Sequence, residues 1–150
     1  MTSLNKNHLV SKTHGRIAFR GIIDTLEAEV IEAQVLAAGL GESDFCAKLG
    51  EILDYLRSLM SAEVNETPLS PPFLFGMDAE EIHRQSHSVK VVQLPSYTQG
   101  PLAARLNTLR AKMREAELLA VKVLDGRDDI ILAMNRLSSA LWFLYCESLQ

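Results

Sequence analysis

The apolar positions fall into helical stripes separated by one irregular middle. Ile22, Leu26, Val30, Ala33 and Ala37 recur three and four apart, which predicts a helix from about residue 16 to 40, with Gly39 and Gly41 to end it. Ser43 or Asp44 suits the N-cap of a second helix through Leu49, Ile52, Leu53, Leu56 and Met60. Residues 66–77 hold Pro68, Pro71 and Pro72 beside Phe73 and Phe75, and predict a loop. Asp78 with Glu81 spells a capping box for a short helix to about His87. A second loop surrounds Pro95, and Pro101 fits the first turn of a long helix ending at Gly126. In that helix Leu102, Leu106, Leu109, Met113, Ala116, Ala120 and Val123 have the spacing of a bundle seam. A last helix from about Asp128 carries Ile130, Ile131, Met134, Leu137, Leu141 and Leu144. Alternating β-branched runs are missing, so the pattern predicts an all-α fold, a bundle of four long helices plus one short one.

With 150 residues, 47% of them apolar, the chain has room for one domain and one core over 1–150, with 1–12 as a flexible N-terminus. A net charge of −4 argues against a broad nucleic-acid surface, because such binding works by neutralising many phosphates. It leaves room for a local basic cluster on a small phosphate ligand. Cys46 and Cys146 are too few for a disulfide framework or a thiol-rich zinc site, and read as small core residues. The first ten residues do not resemble a signal peptide, and the apolar stretch 140–146 is too short to span a bilayer. The expected compartment is the cytoplasm.

Candidate chemistry lies on the last two helices. Arg110, Arg114 and Glu117 share a face beside the Leu106/Met113 seam. Such a row reads either as a salt-bridge ladder or as an anion site, in which arginine forks grip phosphate and a carboxylate holds them in place. Asn135 sits within the apolar last helix on a stripe with Ser139, Trp142 and Cys146. Either it satisfies itself inside the core or it offers its amide to a ligand. Lys12, Arg16 and Arg20, with Lys6, form a basic cluster that reads as a solvated helix end, and Asp24 reads as an exposed flank or half of an ion pair. His83 and His87 have the i, i+4 spacing of a metal pair without an evident third ligand, and no metal site is assigned to them. A Walker A motif, a GxGxxG loop, a CxxC pair and a nucleophile triad are all missing.

Three segments carry a resemblance. Ser11-Lys12-Thr13-His14-Gly15-Arg16, followed by Gly21-Ile22-Ile23-Asp24, is similar to the first helix of the corrinoid (cobalamin) adenosyltransferases of the propanediol-utilization type, with its S-K-D-D-x-R and G-x-x-D-E-L patterns. Arg110-Ala111-Lys112-Met113-Arg114-Glu115-Ala116-Glu117 resembles their R-x-x-x-R-R-A-E-R helix, and Asn135-Arg136-Leu137-Ser138 their N-R-L-S-D. The Arg-Glu-Ala-Glu spelling, the Asn-Arg-Leu-Ser-Ser ending and His83-Arg84-Gln85-Ser86-His87 are closer to the ethanolamine-utilization branch.

The resemblance implies a ferritin-like bundle that forms homotrimers, with sites between subunits. It implies ATP held by Lys12, Arg114, Glu117 and Asn135, with Arg114 catalytic, and a subunit-interface salt bridge between Asp24 and Arg110. The implied reaction is attack of Co(I) of the corrinoid on the ribose C5′ of Mg²⁺-bound ATP, releasing triphosphate. A corrinoid reductase and a cobalamin-dependent acceptor enzyme are the implied partners, and a bacterial microcompartment an implied location. A non-catalytic module of the same fold that binds or delivers corrinoid or nucleotide is the alternative. The chain departs from the family in three places. It shows neither the Gly/Thr-rich loop nor the His-and-cysteine segment upstream of Ser11. Ser139 replaces the family's Asp. Val92-Gln93-Leu94 stand where an aromatic that displaces cobalt's lower ligand is expected, with Phe73, Phe75 and Tyr97 as unassigned substitutes.

Overall fold

Helical periodicity becomes helices in the computed structural model, whose backbone is described for residues 11–90 and 93–150 and whose side chains are described from residue 14. The elements are α1 (Ser11–Gly39), α2 (Ser43–Asn65), α3 (Ala79–Ser88), a 3₁₀ turn (Tyr97–Gln99), α4 (Pro101–Val123) and α5 (Asp128–Ser148). No strand occurs among the described residues beyond one isolated bridge, Leu74 to Met77. The all-α bundle of four long helices and one short one is therefore observed. The expectations for 1–10, including Lys6, and for Val92 lie outside the described residues, as do the side chains of Lys12 and its neighbours.

The four long helices form a ring in which α1 packs on α2 and α4, and α5 packs on α4 and α2. Neighbours run antiparallel. Gly15 near the start of α1 lies against Val123 at the end of α4, and Lys48 near the start of α2 bonds Glu147 near the end of α5 at 2.7 Å. Since α2 ends where α1 begins, and α4 begins at the opposite end, residues 66–100 must travel the bundle's length. They lay α3 along α5 on the way. This crossover is what builds a third wall beside α4 and α5.

Core contacts follow the seam. Leu106, Leu109, Met113, Ala116 and Ala120 of α4 are buried against Ala133, Met134, Leu137, Leu141 and Leu144 of α5 and against Phe19, Ile23, Leu26, Val30 and Ala33 of α1. Three details differ from the periodic reading. Ile23 rather than Ile22, and Leu59 rather than Met60, are fully buried, because a stripe inclined to the helix axis drifts by a residue along long helices. The second helix takes Glu42 as N-cap with no side-chain cap bond, while Asp44 pairs with Lys48. The α4 helix stops at Val123, and Gly126, at φ 84°, serves the turn into α5.

Arg16 and Arg20 correct the expectation of a solvated basic end. Their side chains are 11% and 12% exposed and grip the two oxygens of Glu63, itself 1% exposed, at 2.7 and 2.6 Å. Arg16 also donates to the Glu63 carbonyl at 2.9 Å and to Glu66. The clamp ties the start of α1 to the end of α2.

Gly15 is a packing requirement. A Cβ there would meet Cβ and Cγ1 of Val123 at 2.8 Å, so α1 and α4 would have to part. Gly15→Ala should lower stability by about 1–2 kcal/mol, overpacking outweighing the gain in helix propensity. Gly15→Ala with Val123→Ala should recover part of the loss in a urea titration. No recovery in the double variant would place the strain elsewhere.

The crossover is pinned where α5 begins. Asp129 accepts from the Leu69 N–H at 2.9 Å, and Arg127 donates to the Thr67 carbonyl at 2.7 Å and to Asp129. The Arg127 hydrogen bonds, with smaller help from the Leu69 and Ile130 N–H groups and against burial, hold the Asp129 carboxyl down at about 2. A carboxyl lowered in the fold contributes stability that is present above the unfolded value near ~4 and is lost as pH falls toward the folded one. Asp129→Asn should thus lower Tm at pH 7, with the gap to wild type closing between about pH 4 and 2. A gap independent of pH would contradict this.

Candidate functional site

Among the described residues, α3, α4 and α5 border a half-open cavity of about 510 Å³ lined by His83, Ser86, His87, Arg110, Arg114, Asn135, Ser138, Ser139 and Trp142. That volume is ample for a small ligand. A cavity of about 550 Å³ at the end of the bundle is lined by Arg16, Glu63, Arg127 and Asp129 among others. Its arginines are already paired with carboxylates, so it is a set of closed ion pairs.

The cavity beside α3 is different because its cations are weakly committed. Arg110 donates from Nε and Nη2 to the neutral Asn107 Oδ1 at 3.1 and 2.9 Å, and its guanidinium lies 5.9 Å from the Trp142 ring centroid. No carboxylate pairs with Arg110 among the described residues. Arg114, 61% exposed, reaches Glu117 Oε1 at 3.7 Å, beyond hydrogen-bond range. Glu117 is held from the other side: Asn135 Nδ2 donates to its Oε2 at 2.9 Å, while Oε1 is buried with no hydrogen-bond partner. Arg136 completes the chain of contacts, donating to Asn135 Oδ1 at 2.5 Å and to the Ala79 carbonyl at 3.0 Å.

Of the predicted residues, Arg110, Arg114, Glu117 and Asn135 thus come together. Asn135 has both ends of its amide engaged, so its primary work is internal: it fixes Glu117 and receives Arg136. Asp24 is exposed on α1 and has no ion pair among the described residues, so within one chain it does not meet Arg110. Lys12 lies outside the described side chains. His83 and His87 line the same cavity as the arginines, with ring centroids 4.2 Å apart. No group of three His, Cys, Asp or Glu able to hold a metal occurs among the described residues. Periodicity placed Ser139 and Trp142 on the Asn135 stripe but missed Ser86 and Ser138. It gave Arg136 no partner, because that partner, the Ala79 carbonyl, comes with α3 lying across α5. Of the substitute aromatics, Phe75 packs on the core under Lys48, whereas Phe73 and Tyr97 are exposed.

No described helix is long and apolar enough to cross a membrane. A family model described as Cobalamin adenosyltransferase matches residues 1–148. The corrinoid adenosyltransferase EutT of Salmonella typhimurium is 31% identical over 155 residues, covering 96% of the chain and 57% of that relative. The protein of the same name from Escherichia coli K12 is 30% identical with the same coverage. The chain therefore spans a little over half the length of these curated relatives. No solved structure matches it.

Proposed function

The chain belongs to the cobalamin adenosyltransferases, and on that premise we propose that it transfers the 5′-deoxyadenosyl group of ATP to Co(I) of a corrinoid, releasing triphosphate. The observation that carries this reading is the pair of arginines opening onto one cavity with little to hold them. Arg114 reaches Glu117 only at 3.7 Å, and among the described residues Arg110 bonds only a neutral oxygen. Two such forks suit a polyphosphate, whose charge grows as it leaves C5′. Cobalt is the nucleophile as part of the substrate, so the protein's tasks are to hold C5′ in line and to stabilise the leaving group. Asn135 and Glu117 then act as the frame that aims Arg114. Mg²⁺ would enter with the triphosphate, satisfied largely by phosphate oxygens and water.

The site is completed between subunits of a homotrimer. Gly15 faces Val123, nine residues beyond Arg114 on α4. At 1.5 Å per residue the start of α1 lies about 13 Å along the bundle from Arg114. Lys12 would therefore join the triphosphate from a neighbouring protomer, and Asp24 of a neighbour would supply the carboxylate that Arg110 lacks. The proposed setting is the cytoplasm, in ethanolamine utilization.

The test is anaerobic incubation with ATP, Mg²⁺ and chemically reduced corrinoid, following the cobalt–carbon chromophore and free triphosphate. Appearance of both together supports the transferase. Corrinoid bound tightly without that spectral change would make the chain a carrier, and failure to bind either substrate would make it a structural oligomer.

A further inference from the structure

We infer that the His83–His87 pair takes up a proton when a polyphosphate enters the cavity, so that ligand binding and protonation are coupled. This rests on the reading of the cavity as a triphosphate site. His87 Nδ1 lies 2.9 Å from the His83 carbonyl oxygen, which can only accept, so Nδ1 carries a hydrogen. Ser86 Oγ donates to that same carbonyl at 2.8 Å, and its 3.3 Å approach to Nδ1 does not require a lone pair there. Neutral His87 therefore presents Nε2 as an acceptor, which has nothing to offer a phosphate oxygen. The cation presents a donor and a charge. The ring centroids lie 4.2 Å apart, so the two imidazoles face an entering ligand together.

The surrounding charges fit this assignment. Arg110 and Arg114 face the pair from α4, with Glu117 behind Arg114. From α5, Arg136 is turned toward the Ala79 carbonyl and Glu80. On α3 itself Arg84 pairs with Glu81. Among the described residues no carboxylate lines the cavity, so an entering polyanion supplies the negative charge that an imidazolium needs. The same arginines disfavour a bare divalent cation between the two rings, and make the i, i+4 histidines phosphate ligands in place of a metal pair.

The experiment is calorimetric titration of the full chain with inorganic triphosphate at pH 7, in buffers of different ionisation enthalpy. Wild type should take up more protons per ligand than His83→Gln/His87→Gln, by an amount approaching but below one, since the ligand's own titration is common to both. Affinity should rise more steeply for wild type than for the double variant as pH falls from 8 to 6, by up to about tenfold per unit. His87→Gln alone should remove most of the extra uptake. Both side chains are exposed, so the variants should fold, with circular dichroism as the check. Equal proton uptake by wild type and the double variant would overturn the coupling while leaving the triphosphate site standing. No binding of triphosphate to wild type would overturn the site and the coupling with it.

Discussion

Glu63→Ala should destabilise the bundle by about 3–5 kcal/mol, the usual consequence of stripping one partner from a buried ion pair. Glu63 is 1% exposed, and both its oxygens are taken by guanidiniums that are themselves nearly covered. Removing the carboxylate leaves two cations facing each other, with Glu66 at 3.2 Å from Arg16 as a neighbouring carboxylate. Their aliphatic stems can carry the heads partly into water, which sets the lower end of the range. For a chain of this size the loss corresponds to a fall in Tm on the order of 10 °C. Replacing all three residues with apolar ones of similar volume should restore much of the stability, because the two desolvated cations go with the anion. Urea unfolding of the single and triple variants checks both statements. A loss below about 1 kcal/mol for Glu63→Ala would mean that the clamp behaves as an ordinary surface pair.

The clamp also shows where sequence reading stops. The helices were legible because burial imposes a period, and the seam from Leu106 to Ala120 appears as spaced. Arg16 and Arg20 looked solvated because their partner is 47 and 43 residues away, and nothing in local spacing announces a partner at that distance. One signal was present. Glu63 falls seven residues after Leu56, on the stripe that buries α2, so an acid there had to be paired.

The site divides in the same way. The row Arg110, Arg114, Glu117 is a property of one helix and could be read directly. That Asn135 holds Glu117 depends on α5 packing back on α4, and that His83 and His87 share the arginines' cavity depends on the 66–100 crossover bringing α3 across α5. The histidine spacing allowed a metal pair but read more simply as exposed polar residues, and the opposing arginines that motivate an anionic ligand come from another helix. The expected bridge from Asp24 to Arg110 needs a second subunit, which sequence periodicity does not describe.

Arg114→Ala should leave folding nearly untouched and reduce kcat/KM for corrinoid adenosylation by roughly 10²–10³, the scale of losing one charge-stabilising donor at a developing anion. The structural side of this prediction follows from exposure. Arg114 is 61% exposed and 3.7 Å from Glu117, and a pair of that kind contributes about 0–1 kcal/mol. Met113 and Ala116, which carry the seam on either side, are unaffected. The catalytic side follows from its commitment. A guanidinium without a firm internal partner keeps its fork for an incoming phosphate, and deletion removes two donors and a charge at once. Arg114→Lys should fall between, keeping the charge but losing the bidentate geometry, with a loss of about tenfold. Glu117→Gln separates aim from grip: Asn135 can still bond the amide oxygen, but Arg114 loses the Glu117 carboxylate, so ATP affinity should fall less than for Arg114→Ala. Thermal melts run beside the kinetics decide the matter. Activity within threefold of wild type for Arg114→Ala would take the arginine out of the reaction, and a melting temperature that drops in step with activity would make it a structural residue of α4.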